Sequence, residues 1–402
     1  DNQVDPATYL GLTFSRDMAA ASFRGAISFS PSVPFAVRSD PVDARRVLVA
    51  PKSLLEPKTT YDVSISSDAS DADGNHLRPL KVRFTTGEVR SLSRWITFLA
   101  TAPGADTSSG VWMVDEAGFP RILEEATADA FSWSPDGSNL LVRHPDLSWT
   151  EYPLTAAPVS LPFQADWAAY LGPGDGYAYR TGGNLMRLLP TGTTATIATG
   201  VEYAALTHDL NRIAFSQSNG AGGSDIRVYD IQPRAQYRIQ RESALATGLA
   251  WSPDGSRLAY LVPNGAQGQV QLRVKSLGGS APVATVASGE IESPSWLANS
   301  SDITFSARLV VEGRSHWRIF RVNTALTPLA LNAAAAIGPT LDADISQPQP
   351  SPDGHQIAFL VGDPASAQIW LMNADGTGQS HLTTFDSAAF PYTCTALHWA
   401  NP

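Results

Sequence analysis

A chain of 402 residues, 43% hydrophobic and 16% charged, is long enough to bury two cores and carries too little charge for a disordered polymer. Its net charge of −10, with no cluster of lysine or arginine, excludes a nucleic-acid backbone as partner, because phosphates need a basic face. A single cysteine, Cys394, excludes an internal disulfide, and no apolar run approaches the roughly 20 residues of a membrane-spanning helix.

Residues 1–88 read as short alternating segments broken by proline, serine and aspartate: Tyr9 to Phe14, Ile27 to Phe29, Phe35 to Arg38, Arg46 to Val49, Thr60 to Ser64 and Leu80 to Thr85. Period-two alternation with such breakers predicts a small antiparallel β-sandwich. Near its end, Asp71, Asp73 and Asn75 alternate as oxygen donors, the opening of a calcium loop, but no glutamate stands at the twelfth position to complete it. The favoured reading is a turn held by its own side chains. The segments FSRDM at 14, RVLVAP at 46, LLEPKTTYDVSI at 54, DADGN at 71 and RFTTGE at 83 resemble, in order and spacing, the bacterial Ig-like domains. That resemblance implies a sandwich in an extracytoplasmic setting, with no catalytic residues. A short linker, about Glu88 to Ser93, follows.

From Arg94 a repeat takes over, and residues 89–402 form the second predicted domain. WSPDG stands at Trp133 to Gly137 and at Trp251 to Gly255, and Pro350 to Gly354 keeps SPDG with proline in place of the tryptophan. In each copy the proline presets φ, the aspartate (Asp136, Asp254, Asp353) bonds back to nearby amides, and the glycine (Gly137, Gly255, Gly354) takes a left-handed conformation. Weaker anchors are Tyr170, Leu206, Trp296 and Trp399. Each anchored strand is followed by an apolar strand, then an alternating segment (VWMVD at 111, WTEYPL at 149, NLMRL at 184, IRVYD at 226, VQLRV at 270, WRIFRV at 317, IWLMN at 369), then a weaker stretch. About four strands per unit is the make-up of a propeller blade. Anchor spacings of 36 residues (Tyr170 to Leu206) to 54 (Trp296 to Pro350) bracket the roughly 40 to 45 of a blade. Seven units are counted; six follow if the copy around Tyr170 is absorbed into its neighbour.

The first copy, RWITFLA from Arg94, lacks an anchor, whereas Leu397 to Pro402 supplies an anchor with nothing after it. The carboxy-terminal strand is therefore expected to complete the first blade and remove an exposed sheet edge. The WSPDG turns, IWLMNADG at Ile369 to Gly376 and HLTT at His381 resemble the propeller repeats of the TolB family. The predicted fold is all-β, an Ig-like sandwich followed by a TolB-like, WD40-like β-propeller.

Little chemistry is legible. No GxSxG elbow or α/β remainder exists for a serine hydrolase. The seven histidines (76, 144, 208, 316, 355, 381 and 398) show no HExxH and no ligand pair on one strand, so no zinc site is expected. Asp136, Asp254 and Asp353 read as turn formers, and Trp133, Trp251, Trp296 and Trp399 as wedges between blades. Trp149, Trp167 and Trp317 are better candidates for binding, although two of them begin strands. The insertions Ala307 to Arg314 and Asn332 to Ser346 are the expected contact face, the second as a short alanine-rich helix.

The expectation is a non-enzymatic extracytoplasmic scaffold whose propeller face recognises a protein or glycan of the cell envelope, with no cofactor and no metal. A start at Asp1 without methionine or apolar leader suggests the mature form of an exported precursor. Two rivals stand beside it: a carbohydrate-active hydrolase or lyase with carboxylates in the propeller channel, and a surface-layer or filament subunit that self-associates through its Ig-like domain.

Overall fold

The computed structural model describes residues 2–4, 10–40, 43–51, 55–56, 58–87, 95–101, 110–114, 120–124, 127–134, 137–153, 156–172, 174–265, 268–278, 281–311, 313–364, 367–382 and 393–399. The linker at 88–93 and Asp136 lie outside them. Two compact units emerge: Asp1–Ala126 with Val361–Leu371 and Ser380–Thr395, and Thr127–Leu360 with Met372–Gln379 and Ala396–Pro402.

In the first unit the amino-terminal segments form two sheets. One has the order Asn2–Val4, Leu80–Thr86, Thr60–Ile65, Ile27–Ser30; the other has Leu10–Thr13, Arg46–Pro51, Phe35–Ser39. All six predicted strands are present. The seventh, Asn2–Val4, runs parallel to Leu80–Thr86 and is too short to show alternation. Period-two patterning puts Tyr61, Val63 and Ile65 of one sheet and Val47 and Val49 of the other into one core with Phe23, Phe29, Leu55 and Phe84. Tyr61 stacks on Phe84 at 5.6 Å, and its hydroxyl accepts the Glu56 amide at 2.9 Å, so its polar tip is satisfied.

The repeats build four-stranded sheets, seven among the described residues. Five lie wholly in the second unit, each in simple chain order, as in Thr247–Trp251, Arg257–Pro263, Val270–Ser276, Ala284–Gly289. The copy around Tyr170 makes a sheet of its own, Trp167–Gly172 through Thr194–Thr199. In the sheet of Ile96–Thr101, Gly110–Val114 and Pro120–Glu124, the fourth strand is Thr393–Trp399, hydrogen-bonded beside Ile96–Thr101. This is the expected union of chain end and first repeat. The fold is thus an Ig-like domain followed by a β-propeller.

Two insertions differ from expectation. Ala307 to Arg314 lengthens a hairpin, whose strands Asp302–Val311 and Arg314–Asn323 pair along their whole length. Asn332 to Ser346 holds only a 3-10 turn, Ala333–Ala335, capped by the Asn332 side chain, and then the two-residue strand Ala336–Ile337. The alanines do not extend a helix because the sheet of Asp302–Val311 takes Ala336 and Ile337 as its fourth strand, pairing them with Phe320 and Ile319.

Candidate binding cavity

The turns after Trp251, Pro350 and Leu206 share one construction. In the second WSPDG copy Gly255 donates its amide to the Ser252 carbonyl at 2.8 Å, and the Ser252 hydroxyl accepts the Arg257 amide at 3.0 Å and donates to Asp254 Oδ1 at 2.6 Å. Burial disfavours ionisation of Asp254, but hydrogen bonds from Ser252 and Ser256 outweigh it and hold the carboxyl below the usual range. Ser351, Asp353 and Gly354 repeat these bonds, with His355 as the amide donor to Asp353. In THDLN, Thr207 takes the serine's role, its hydroxyl accepting the Arg212 amide at 3.0 Å, and Asp209 accepts Asn211. The fourth position is left-handed in five copies: Gly137 at φ 68°, Leu210 at 59°, Gly255 at 66°, Ser300 at 53° and Gly354 at 74°. The motif's serine, passed over in the sequence, thus ties the turn to the next strand.

The anchors are joined to one another. The Trp251 indole donates to the Ala205 carbonyl at 3.0 Å, Trp296 to Ala250 at 3.0 Å and Trp399 to Gln349 at 2.6 Å. Each target is the residue immediately before the preceding anchor. Where proline replaces tryptophan, at Pro350, the corresponding carbonyl of Ser295 instead accepts the Thr304 hydroxyl at 3.2 Å. Trp133 is buried like the other three.

Within the second unit, these turns converge on a cavity of about 350 Å³. Three slots of the repeat line it: the residue before the anchor (Ala250, Ser295, Gln349, His398), the anchor (Trp251, Trp296, Pro350, Trp399), and the second turn residue (His208, Pro253, Ala298, Pro352), joined by Ser351. The walls are tryptophan and proline. No carboxylate is among the described lining residues, so the facing acid pair of a glycosidase is not among them either. His208 and His398 both reach the cavity's water, yet protein surrounds them, and burial holds each ring below the ordinary histidine range. For His398 the nearby His208 acts in the same direction while the Trp399 backbone opposes it; for His208, Asp209 opposes it.

The other sequence candidates go elsewhere. Trp149 is buried with its indole on the Ala165 carbonyl at 2.9 Å, Trp167 packs against a hydrophobic cluster with Leu171 and Phe215, and Trp317 lies under the Arg308 guanidinium at 5.1 Å. Asp71 Oδ1 accepts the Asp73 and Asn75 amides at 3.0 and 2.8 Å, and the Asn75 side chain bonds both oxygens. That side-chain bond, first among several, keeps the Asp71 carboxyl low. The Asp71 oxygens thus face amide donors of their own turn. No group of three or more His, Cys, Asp or Glu is placed to hold a metal among the described residues.

The class that fold and cavity define is a β-propeller with a Trp- and Pro-walled cavity, preceded by an Ig-like sandwich. Residues 1–86 match the family of the bacterial Ig-like domain, and residues 239–402 match the lipoprotein LpqB beta-propeller domain. Among solved structures, the chain is similar to TolB from Acinetobacter baumannii (14% identity, TM-score 0.47, covering 87% of this chain and 82% of that one). A putative TolB from Agrobacterium tumefaciens (14%, TM-score 0.46, 77% and 99%) and a puromycin hydrolase (15%, TM-score 0.47, 64% and 47%) are also similar. No curated protein matches the sequence. No helix among the described residues is long and apolar enough to cross a membrane.

Proposed function

We propose that this protein is a non-enzymatic, extracytoplasmic binding protein whose propeller, of seven blades over residues 89–402, recognises a protein partner at the cavity, with the Ig-like domain of residues 1–88 as spacer. The observation that carries the reading is the lining: three tryptophans and three prolines, rigid and largely apolar, with hydrogen-bonding groups spaced among them and no carboxylate among the described lining residues. Rigid aromatic and proline walls take an incoming side chain at little entropic cost, which is how protein-binding hot spots are built. The likeness of residues 239–402 to a lipoprotein's propeller supports an envelope setting.

A photo-crosslinking amino acid at Ala298, exposed on the cavity rim, should capture one protein from the native envelope. The same group at Tyr237, exposed on an outer strand, should not. Equal capture from both positions, or retention of an oligosaccharide in place of a protein, overturns the reading.

A further inference from the structure

Two groups in the cavity go beyond apolar docking. His208 occupies the slot that Pro253 and Pro352 fill in their turns, and His398 the slot that Ala250, Ser295 and Gln349 fill before their anchors. Two separate slots, in repeats far apart along the chain, thus each receive an imidazole, and both imidazoles line the same small cavity.

The surroundings limit what the pair can take. No acid lies in the described lining, and the turn carboxylates Asp254 and Asp353 are engaged by the serines and amides of their own turns. The strands Thr247–Trp251, Ile291–Trp296 and Ile345–Pro350 contribute only Ala250, Trp251, Ser295, Trp296, Gln349 and Pro350, none of them titratable. Among the described residues, Asp209, in the turn of His208, the Trp399 backbone and the histidines themselves act on the pair. A cation would find two imidazoles without the third and fourth ligands that zinc takes. An anion would find two imidazole N–H donors set among apolar tryptophan and proline walls.

We propose that the cavity is a carboxylate receptor: an acidic group of a peptide partner seats between His208 and His398, its adjoining apolar atoms against Trp251, Trp296 and Trp399. This rests on the reading of the cavity as the protein-binding site, and it names the chemistry recognised there. The carboxylate offsets the burial and mutual repulsion that keep the rings neutral, so binding takes up protons. Affinity therefore rises as pH falls, by about tenfold per pH unit for each proton taken up.

The test needs no partner protein. With histidine rings isotopically labelled in the full chain and assigned through His208→Gln and His398→Gln, N-acetyl-leucine and its amide are titrated in at several pH values. N-acetyl-aspartic acid α-amide, which carries only a side-chain carboxylate, is a third arm. The expected result is a rise in both ring pKa values with one or both acids, none with the amide of N-acetyl-leucine, and at least about tenfold weaker binding in either variant. The leucine and aspartate arms separate a chain end from a side chain. Rings that stay put through the acid series, an equal response to acid and amide, or a response abolished by EDTA overturns the proposal. Failed crosslinking with an intact ring response would remove the protein-docking role and leave the receptor; the reverse would remove only the receptor.

Discussion

Ser300 shows how the repeat tolerates drift at a single residue. It stands where three other copies have glycine, at φ 53°, a conformation that costs a non-glycine residue about 1 kcal/mol. In return its hydroxyl accepts the Asp254 amide of the neighbouring turn at 3.1 Å, an exposed bond contributing about 0.5–1.5 kcal/mol. Ser300→Ala keeps the strain and loses the bond, so it should lower stability by about 1 kcal/mol. Ser300→Gly loses both and should be close to neutral. Urea melts in which Ser300→Ala matches the parent protein and Ser300→Gly exceeds it would show that the hydroxyl link contributes nothing.

At the scale of the element, the indole-to-carbonyl bonds couple the anchor strands of Trp251, Trp296 and Trp399 to the ones before them. Trp296→Phe keeps most of the packing but leaves the Ala250 carbonyl without its indole donor, at an expected cost of about 1 kcal/mol. Trp296→Ala also opens a cavity and should cost about 3–5 kcal/mol. Equal losses in denaturant midpoint would assign the whole effect to the indole bond, and no loss in Trp296→Phe would assign it to packing. The anchors were legible in the sequence because tryptophan recurs before the same turn. The bond between them was not, because it joins residues 46 apart, Trp296 to Ala250, through backbone that carries no residue signature. The same reason hid the fate of Asn332 to Ser346: alanine favours helix locally, but a sheet lacking its outer strand claims Ala336 and Ile337 through pairing that only the tertiary fold supplies.

For the molecule as a whole, pH separates two sets of groups. His208 and His398 have folded values below the unfolded one of about 6.5. The unfolded chain therefore binds their protons first, and their contribution, full above about pH 6.5, is lost as pH falls through the folded values. Asp225, brought to about 2 by Arg241 ahead of Arg238, contributes fully above an unfolded value of about 3.8 and loses that contribution as pH falls through about 2. Thermal melts should show a small first decline below about pH 6.5 and a second below about pH 4. The His208→Gln/His398→Gln variant should lack the first; a double variant that retains it would assign it to other groups. The proposed boundary at residue 88 is checked by expressing residues 1–88 alone. Their core draws on those residues only, so a cooperative melt is expected, and a molten, ANS-binding fragment would move the boundary.

By itself, the sequence determined the architecture. Turn chemistry and hydrophobic period are local properties, and a motif repeated at blade spacing states them often enough to be read, including which strand the chain end must join. The tertiary structure alone decided the site. In the sequence His208 and His398 are two of seven scattered histidines, since a lining is made of slots contributed by different repeats, and only the stacking of those repeats brings a proline position of one and a pre-anchor position of another to the same cavity.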